Sequence, residues 1–121
     1  MKFIDCTDEQ VKELKESKNL TLSWRIPVEP KVVEMNGEVV ALIDFSFGGV
    51  YGPDSIEIDN FEVFEKGETT GSKIISALKE MYKNKIISLY PDNERCKKFW
   101  LEHGFVIENE GAGVERLVYK R

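Results

Sequence analysis

The stretch from Ile56 to Ser72, I-E-I-D-N-F-E-V-F-E-K-G-E-T-T-G-S, constrains this chain more than any other, because its apolar pattern changes phase and then period. Ile56 and Ile58 alternate as in a half-buried strand, and the apolar phase then slips by one residue to Phe61 and Val63. One inserted residue near Asp59 and Asn60 produces that slip, so the spacing predicts a β-bulge there. A Gly/Thr/Ser-rich turn follows Val63, and Ile74, Ile75, Leu78 and Met81 or Tyr82 then recur at helical spacing, predicting a helix over Lys73 to Lys83. A strand running through a small-residue turn into a helix gathers turn N–H groups and the positive end of the helix dipole in one place. That arrangement can cradle a phosphate. The same pattern also describes an ordinary turn, and the stretch alone does not separate the two.

The second half of the chain adds a short apolar strand, Ile86 to Tyr90, ended by Pro91. A helix follows from Asn93, with Cys96, Phe99 and Trp100 on it, a glycine stop at Gly104 and an apolar restart at Phe105. Phe105 to Glu108 and Val114 to Tyr119 read as a closing hairpin about Gly111-Ala112-Gly113. At the other end, Phe3 and Ile4 form a short strand, and Thr7 caps a helix over Asp8 to Ser17. Leu20, Leu22, Trp24 and Ile26 alternate with polar residues, which predicts an extended segment up to Pro27, with Trp24 in the core. Residues 31–48 read as a hairpin about Asn36-Gly37, a type I′ pair.

With 121 residues the chain has material for one core. A net charge of −5 argues against general nucleic-acid binding, which needs excess Lys and Arg on one face, and mildly favours a cationic partner. No apolar run approaches a membrane span, and Met1-Lys2-Phe3-Ile4-Asp5 lacks a signal-peptide core, so a cytoplasmic protein is expected. Cys6 and Cys96 have no companions at metal-ligand spacing. Reduced thiols and no metal site are therefore expected.

The two halves together resemble the GNAT-type N-acetyltransferases. That superfamily carries a bulged strand Ile-x-x-Leu-x-Val, a loop Arg/Gln-x-x-Gly-x-Gly/Ala and a helix. Ile58-x-x-Phe61-x-Val63, Lys66-x-x-Thr69-x-Gly71 and the helix from Ser72 resemble this motif. Its second motif, Asn-x-x-Ala-x-x-Phe-Tyr-x-x-x-Gly-Phe, resembles Asn93, Cys96, Phe99, Trp100, Gly104 and Phe105 with unbroken spacing. The chain departs from the pattern at Lys66, at Thr69 in place of a glycine, in a loop two residues shorter than usual, and at Trp100 in place of a tyrosine.

The resemblance implies an α/β (α+β) fold: one domain over residues 1–121, with a mixed, mostly antiparallel sheet and flanking helices. Its fourth and fifth strands would splay to admit acetyl-CoA. The Phe61 and Val63 backbone would pair with pantetheine, and Phe61 N–H would face the thioester oxygen. Lys66, Gly67, Glu68, Thr69, Thr70, Gly71 and Ser72 would hold the pyrophosphate, with Asn93 and Phe99 as further contacts. Glu65 and Glu68 oppose an anion there, while Lys66, Lys73 and Lys97 are either compensating cations or solvated side chains.

Acetyl transfer to an amine needs a base, because a free alkyl amine is protonated at pH 7. Glu57, directly before Ile58, is the first candidate, and Asp59 would share its face if the bulge begins after it; an outward-facing carboxylate is the plain alternative. Trp100 either donates its N–H towards the thiol or packs beside Phe99; it has no proton to transfer, so water or a phenol such as Tyr90 would supply one. His103 suits a structural place at a helix C-terminus, and Cys96 a buried spacer. The expected function is an acetyl-CoA-dependent N-acetyltransferase acting on a small cationic amine or a basic peptide or protein amine, as a monomer or homodimer. The alternative is a GNAT-like module that binds CoA or a protein without turnover.

Overall fold

Ala41, Leu42, Ile43, Asp44 and Phe45 are all buried, so the strand that carries them is covered on both faces. In the computed structural model, which describes residues 1–66 and 69–120, it is the third strand of a seven-stranded sheet. The elements run β1 (Lys2–Asp5), α1 (Asp8–Ser17), β2 (Pro30–Met35), β3 (Glu38–Phe47), β4 (Ser55–Val63) and α2 (Thr70–Met81). They continue with β5 (Ile86–Leu89), α3 (Glu94–Glu102), β6 (Val106–Gly111) and β7 (Val114–Tyr119). The spatial order is β1-β2-β3-β4-β5-β7-β6, and β4–β5 is the parallel pair. This is the expected mixed, mostly antiparallel sheet with flanking helices.

Successive strand residues point to opposite faces, and the two cores divide accordingly. Ala41, Ile43, Phe45, Ile56 and Ile58 meet Ile74, Ile75 and Leu78 of α2 and Trp100 of α3. Leu42 faces the other way, onto Val11 of α1, Leu20 and Trp24. Thr7 caps α1 as expected, accepting from Gln10 N while the Gln10 side chain accepts from Thr7 N. Asn36 and Gly37 both have positive φ, 53° and 79°, as a type I′ hairpin requires. Helix α2 begins at Thr70, three residues before the start expected from periodicity and two before the one implied by the resemblance.

The expected extended segment at residues 20–26 is not a strand, and the reason is a change of hydrogen-bond partner. Its alternating apolar residues do reach the core, but its N–H groups bond to carboxylates. Glu62 of β4, buried, accepts from Thr21 N at 2.5 Å, Thr21 Oγ1 at 2.8 Å, Leu22 N at 3.1 Å and Trp24 Nε1 at 2.9 Å. Asp44 of β3 likewise accepts from Val28 N at 2.9 Å and Glu29 N at 2.7 Å. Trp24 itself has φ 49°, a left-handed conformation that ends any strand.

Burial alone would raise the Glu62 pKa, but the donors on Thr21, Trp24 and Leu22 outweigh it and lower the value to about 2. A carboxylate with a lowered folded-state pKa contributes stability that is complete above its unfolded pKa and fades as pH falls towards the folded one. Glu62→Gln is expected to cost about 3 kcal/mol at pH 7 in urea unfolding. The gap between variant and wild type should close as pH falls from 4.5 towards 2. A gap that stays constant with pH would mean that the charge on Glu62 is not what secures residues 20–24.

Candidate functional site

The pairing of β4 with β5 stops early. Ser55, Ile56, Glu57 and Ile58 pair with Ile86, Ile87, Ser88 and Leu89, and no register continues beyond them. On its other edge β4 stays paired with β3, but Asp44 opposes Asn60 while Phe45 opposes Ile58, so Asp59 is the extra residue. The bulge expected near Asp59 and Asn60 is therefore present, and it turns β4 at the point where β5 ends. From Asp59 to Val63 one edge of β4 has no strand partner. The fourth and fifth strands part there, as the sequence resemblance implied.

A cavity of about 340 Å³ fills the opening. Phe61, Val63, Gly71, Phe99 and Trp100 line it from the side of α2 and α3, and Thr21, Leu22 and Glu62 from the side of the connector. It thus has lining from both faces of the sheet. Helix α3 is aimed by Asn93, whose Oδ1 accepts from Cys96 N at 2.9 Å as an N-cap, and Asn93 and Cys96 themselves reach the lining. Burial pushes the Cys96 thiol pKa up, with Asp92 adding to the rise, consistent with an inert spacer. Phe99 and Trp100 meet edge-on with centroids 5.2 Å apart, and Phe61 lies 6.3 Å and 5.9 Å from them. Trp100 is 5% exposed, yet its indole N–H has no hydrogen-bond partner among the described residues. Trp100 packs against Phe99, as one of its two sequence readings had it, and it also lines the cavity.

At the start of α2, Thr69 is the N-cap without a side-chain hydrogen bond, and the first turn has no acidic residue. Within that first turn, no carboxylate offsets the positive end of the helix dipole. Gly67 and Glu68 lie outside the described residues. The Ser72 hydroxyl is already engaged. It meets His103 Nε2 at 2.8 Å, while His103 Nδ1 lies 2.6 Å from the Phe99 carbonyl. A carbonyl only accepts, so Nδ1 carries a proton towards Phe99, while Nε2 shares a hydrogen bond with the Ser72 hydroxyl. His103 also stacks on Phe99 at 4.3 Å, joining the end of α3 to the start of α2. Of the candidate cations, Lys66 lines the cavity with Nζ 3.3 Å from Glu62, and Lys97 is held 2.5 Å from Glu115.

Glu57 lies off the cavity lining, with Oε1 2.9 Å from Arg116 Nη1. Arg116, nearly fully buried, also reaches Ser88 Oγ at 2.9 Å, Glu110 at 2.6 Å and the Tyr90 hydroxyl. Tyr90 lines the cavity and donates to Glu110. Asp59 lines it too. Desolvation, reinforced by the negative charges of Asp44 and Glu57, pushes its pKa up to about 6. Sequence reasoning gave Arg116 no role, because one arginine in a closing hairpin looks like a solvated charge.

No family model matches the chain, and no curated protein matches its sequence. Its fold, however, is shared with solved structures. A Bacteroides thetaiotaomicron protein assigned to the GNAT acetyltransferases superimposes over all of this chain and 88% of its own, with TM-score 0.69 and 15% identity. The chain has a GNAT-type fold. Aminoglycoside acetyltransferase AAC(6')-Ib, solved with coenzyme A and kanamycin, shares the GNAT fold over 99% of this chain and 94% of its own, with TM-score 0.69 and 17% identity. Arabidopsis thaliana Naa50, solved with the bisubstrate analogue CoA-Ac-MVNAL, matches over 97% and 95%, with TM-score 0.64 and 16% identity.

Within this fold Gly71 of α2 lies against the Phe99 ring of α3. A Cβ built on it would meet Phe99 Cε1 at 3.3 Å and Cζ at 3.4 Å. Gly71→Ala should be near neutral in urea unfolding, because a helix-propensity gain of about 1 kcal/mol offsets a small shift of the ring. Gly71→Val adds two methyl groups against Phe99 and should cost roughly 1–3 kcal/mol. Equal effects of the two would show that Phe99 is not held against the helix.

Proposed function

We propose that this protein is an acetyl-CoA-dependent N-acetyltransferase that passes the acetyl group to a primary amine by direct attack. The observation that carries this reading is the gap between β4 and β5, where an unpaired strand edge and the uncapped start of α2 border one cavity. A pantetheine arm carries amides that suit an unpaired strand edge, and a pyrophosphate suits a helix N-terminus. Val63 and Phe61 would pair with the arm, and Phe61 N–H would stabilise the oxyanion. Thr69, Thr70 and Gly71, with Gly67, Glu68 and Ser72 through their backbone, would hold the pyrophosphate. Lys66, Asn93 and Phe99 would border the bound molecule. The CoA complexes among structures of the same fold support the same co-substrate.

Carboxylates at the cavity and around Arg116, including Asp59, Asp92 and Glu110, favour a cationic acceptor, either a small amine or a basic peptide or protein amine. Trp100 can donate a hydrogen bond to the departing sulfur but no proton. Tyr90 would give one. It borders the cavity, and Arg116, which donates to its oxygen, would stabilise the phenolate left behind.

Isothermal titration with acetyl-CoA, followed by a turnover assay over small amines and basic peptides, tests the reading. Saturable 1:1 binding and acetylated product are expected. Tyr90→Phe should lower kcat roughly a hundredfold while leaving acetyl-CoA affinity near wild type. Binding without product would favour a module that holds CoA without turnover, and absence of binding at millimolar acetyl-CoA would overturn the co-substrate itself.

A further inference from the structure

We infer that Asp59, the extra residue of the β4 bulge, is the general base that takes the proton from the acceptor amine. The inference rests on the acetyltransferase reading above and adds to it the residue that makes the amine nucleophilic. Three observations converge on Asp59. Its position is the point at which β4 loses β5 as a partner, so it stands at the mouth of the gap. It lines the cavity, which Glu57 does not. Its carboxylate has no hydrogen-bond or ion-pair partner among the described residues, whereas Glu57 is held by Arg116, Glu110 by Arg116 and Tyr90, and Glu62 by residues 21–24. A carboxylate whose lone pairs are already occupied is a poor proton acceptor, and Asp59 alone of these four is unoccupied.

The electrostatic surroundings suit the task. Asp44 on β3 and Glu57 on β4 both place negative charge near Asp59, and desolvation acts in the same direction, so its pKa rises to about 6. Lys66, Glu62, Asp92 and Arg95 also border the cavity. A base of that pKa is ionised at pH 7 and closer to the amine in proton affinity than an ordinary carboxylate. Asp59 also remains open to solvent, which gives the proton a route out.

The reaction then balances as follows. The ammonium R–NH3+ passes one proton to the Asp59 carboxylate, and the freed lone pair forms the N–C bond at the thioester carbonyl. Collapse of the tetrahedral adduct breaks the C–S bond, Tyr90 protonates the departing thiolate, and the nitrogen's surplus proton returns through water to the Tyr90 phenolate. The products are the amide, CoA thiol and one proton, which Asp59 releases to water.

The test is the pH profile of kcat/KM for wild type, Asp59→Asn, Asp59→Glu, Glu57→Gln and Asp92→Asn, with acetyl-CoA titrations of each. Wild type should rise with pH through an acid limb near 6, as the base ionises. Asp59→Asn should bind acetyl-CoA as wild type does, lose that limb, and fall at least a hundredfold at pH 7. Asp59→Glu, which retains a carboxylate, should recover part of the rate and the limb. Glu57→Gln should keep the limb and move it to lower pH, because it removes one of the charges that raise the Asp59 pKa. An Asp59→Asn enzyme within threefold of wild type, or loss of the limb in Glu57→Gln or Asp92→Asn instead, overturns the inference while leaving the transferase reading standing. A wild type that binds acetyl-CoA and acetylates no amine overturns both.

Discussion

The architecture of the site depends on a single extra residue in the longest-paired part of the sheet. β4 is shared by two ladders, antiparallel with β3 as far as its last residue and parallel with β5 only as far as Ile58. Inserting Asp59 keeps Phe61 and Val63 on the face set by Ile56 and Ile58, which a regular strand would have given to Asn60 and Glu62. It also bends β4 away from β5, whose continuation is interrupted by Pro91. The core on one side is thus preserved while the sheet opens, and the opening becomes the cavity.

An open sheet needs something to hold its second face, and here that role falls to buried carboxylates. Glu62 and Asp44 accept backbone N–H groups of residues 21–29 that have no strand to pair with. Each buried acceptor is costly without donors and stabilising with them, so the connector and the two strands specify one another. The same logic gathers Arg116 with Glu57, Glu110, Ser88 and Tyr90, where one guanidinium satisfies groups from three strands or their ends.

Much of the fold was legible in the sequence because it is written in period and punctuation. The slip from Ile58 to Phe61 revealed the bulge, Asn36-Gly37 the hairpin, and Asn93 and Gly104 the two ends of α3. What failed to show was any partnership between residues far apart. Leu20, Leu22 and Trp24 alternate just as a strand would, and only the Glu62 carboxylate, about forty positions away, explains why they are not one. Several residues that border the cavity were legible in the sequence, but their contacts with one another were not. Resemblance directed attention to Glu57, and nothing in I-E-I-D-N-F says which acid the bulge frees and which an arginine sixty positions later will occupy. Ser72 shows the same gap: its hydroxyl is spent on His103, a pairing between two helices that no local pattern encodes.

The short β4–β5 ladder also divides the sheet mechanically. Strands β1 to β4 form one antiparallel plate and β5 to β7 another, and four paired positions form the seam between them. The Arg116–Glu57 ion pair bridges the seam on one face, and the packing of α2 and α3 spans it on the other. The cavity occupies the open end of that seam, so its width depends on how the two plates are joined as well as on the connectors that line it. Substitutions at the Arg116–Glu57 pair, which lies off the cavity lining, would therefore act on the site as a change of aperture.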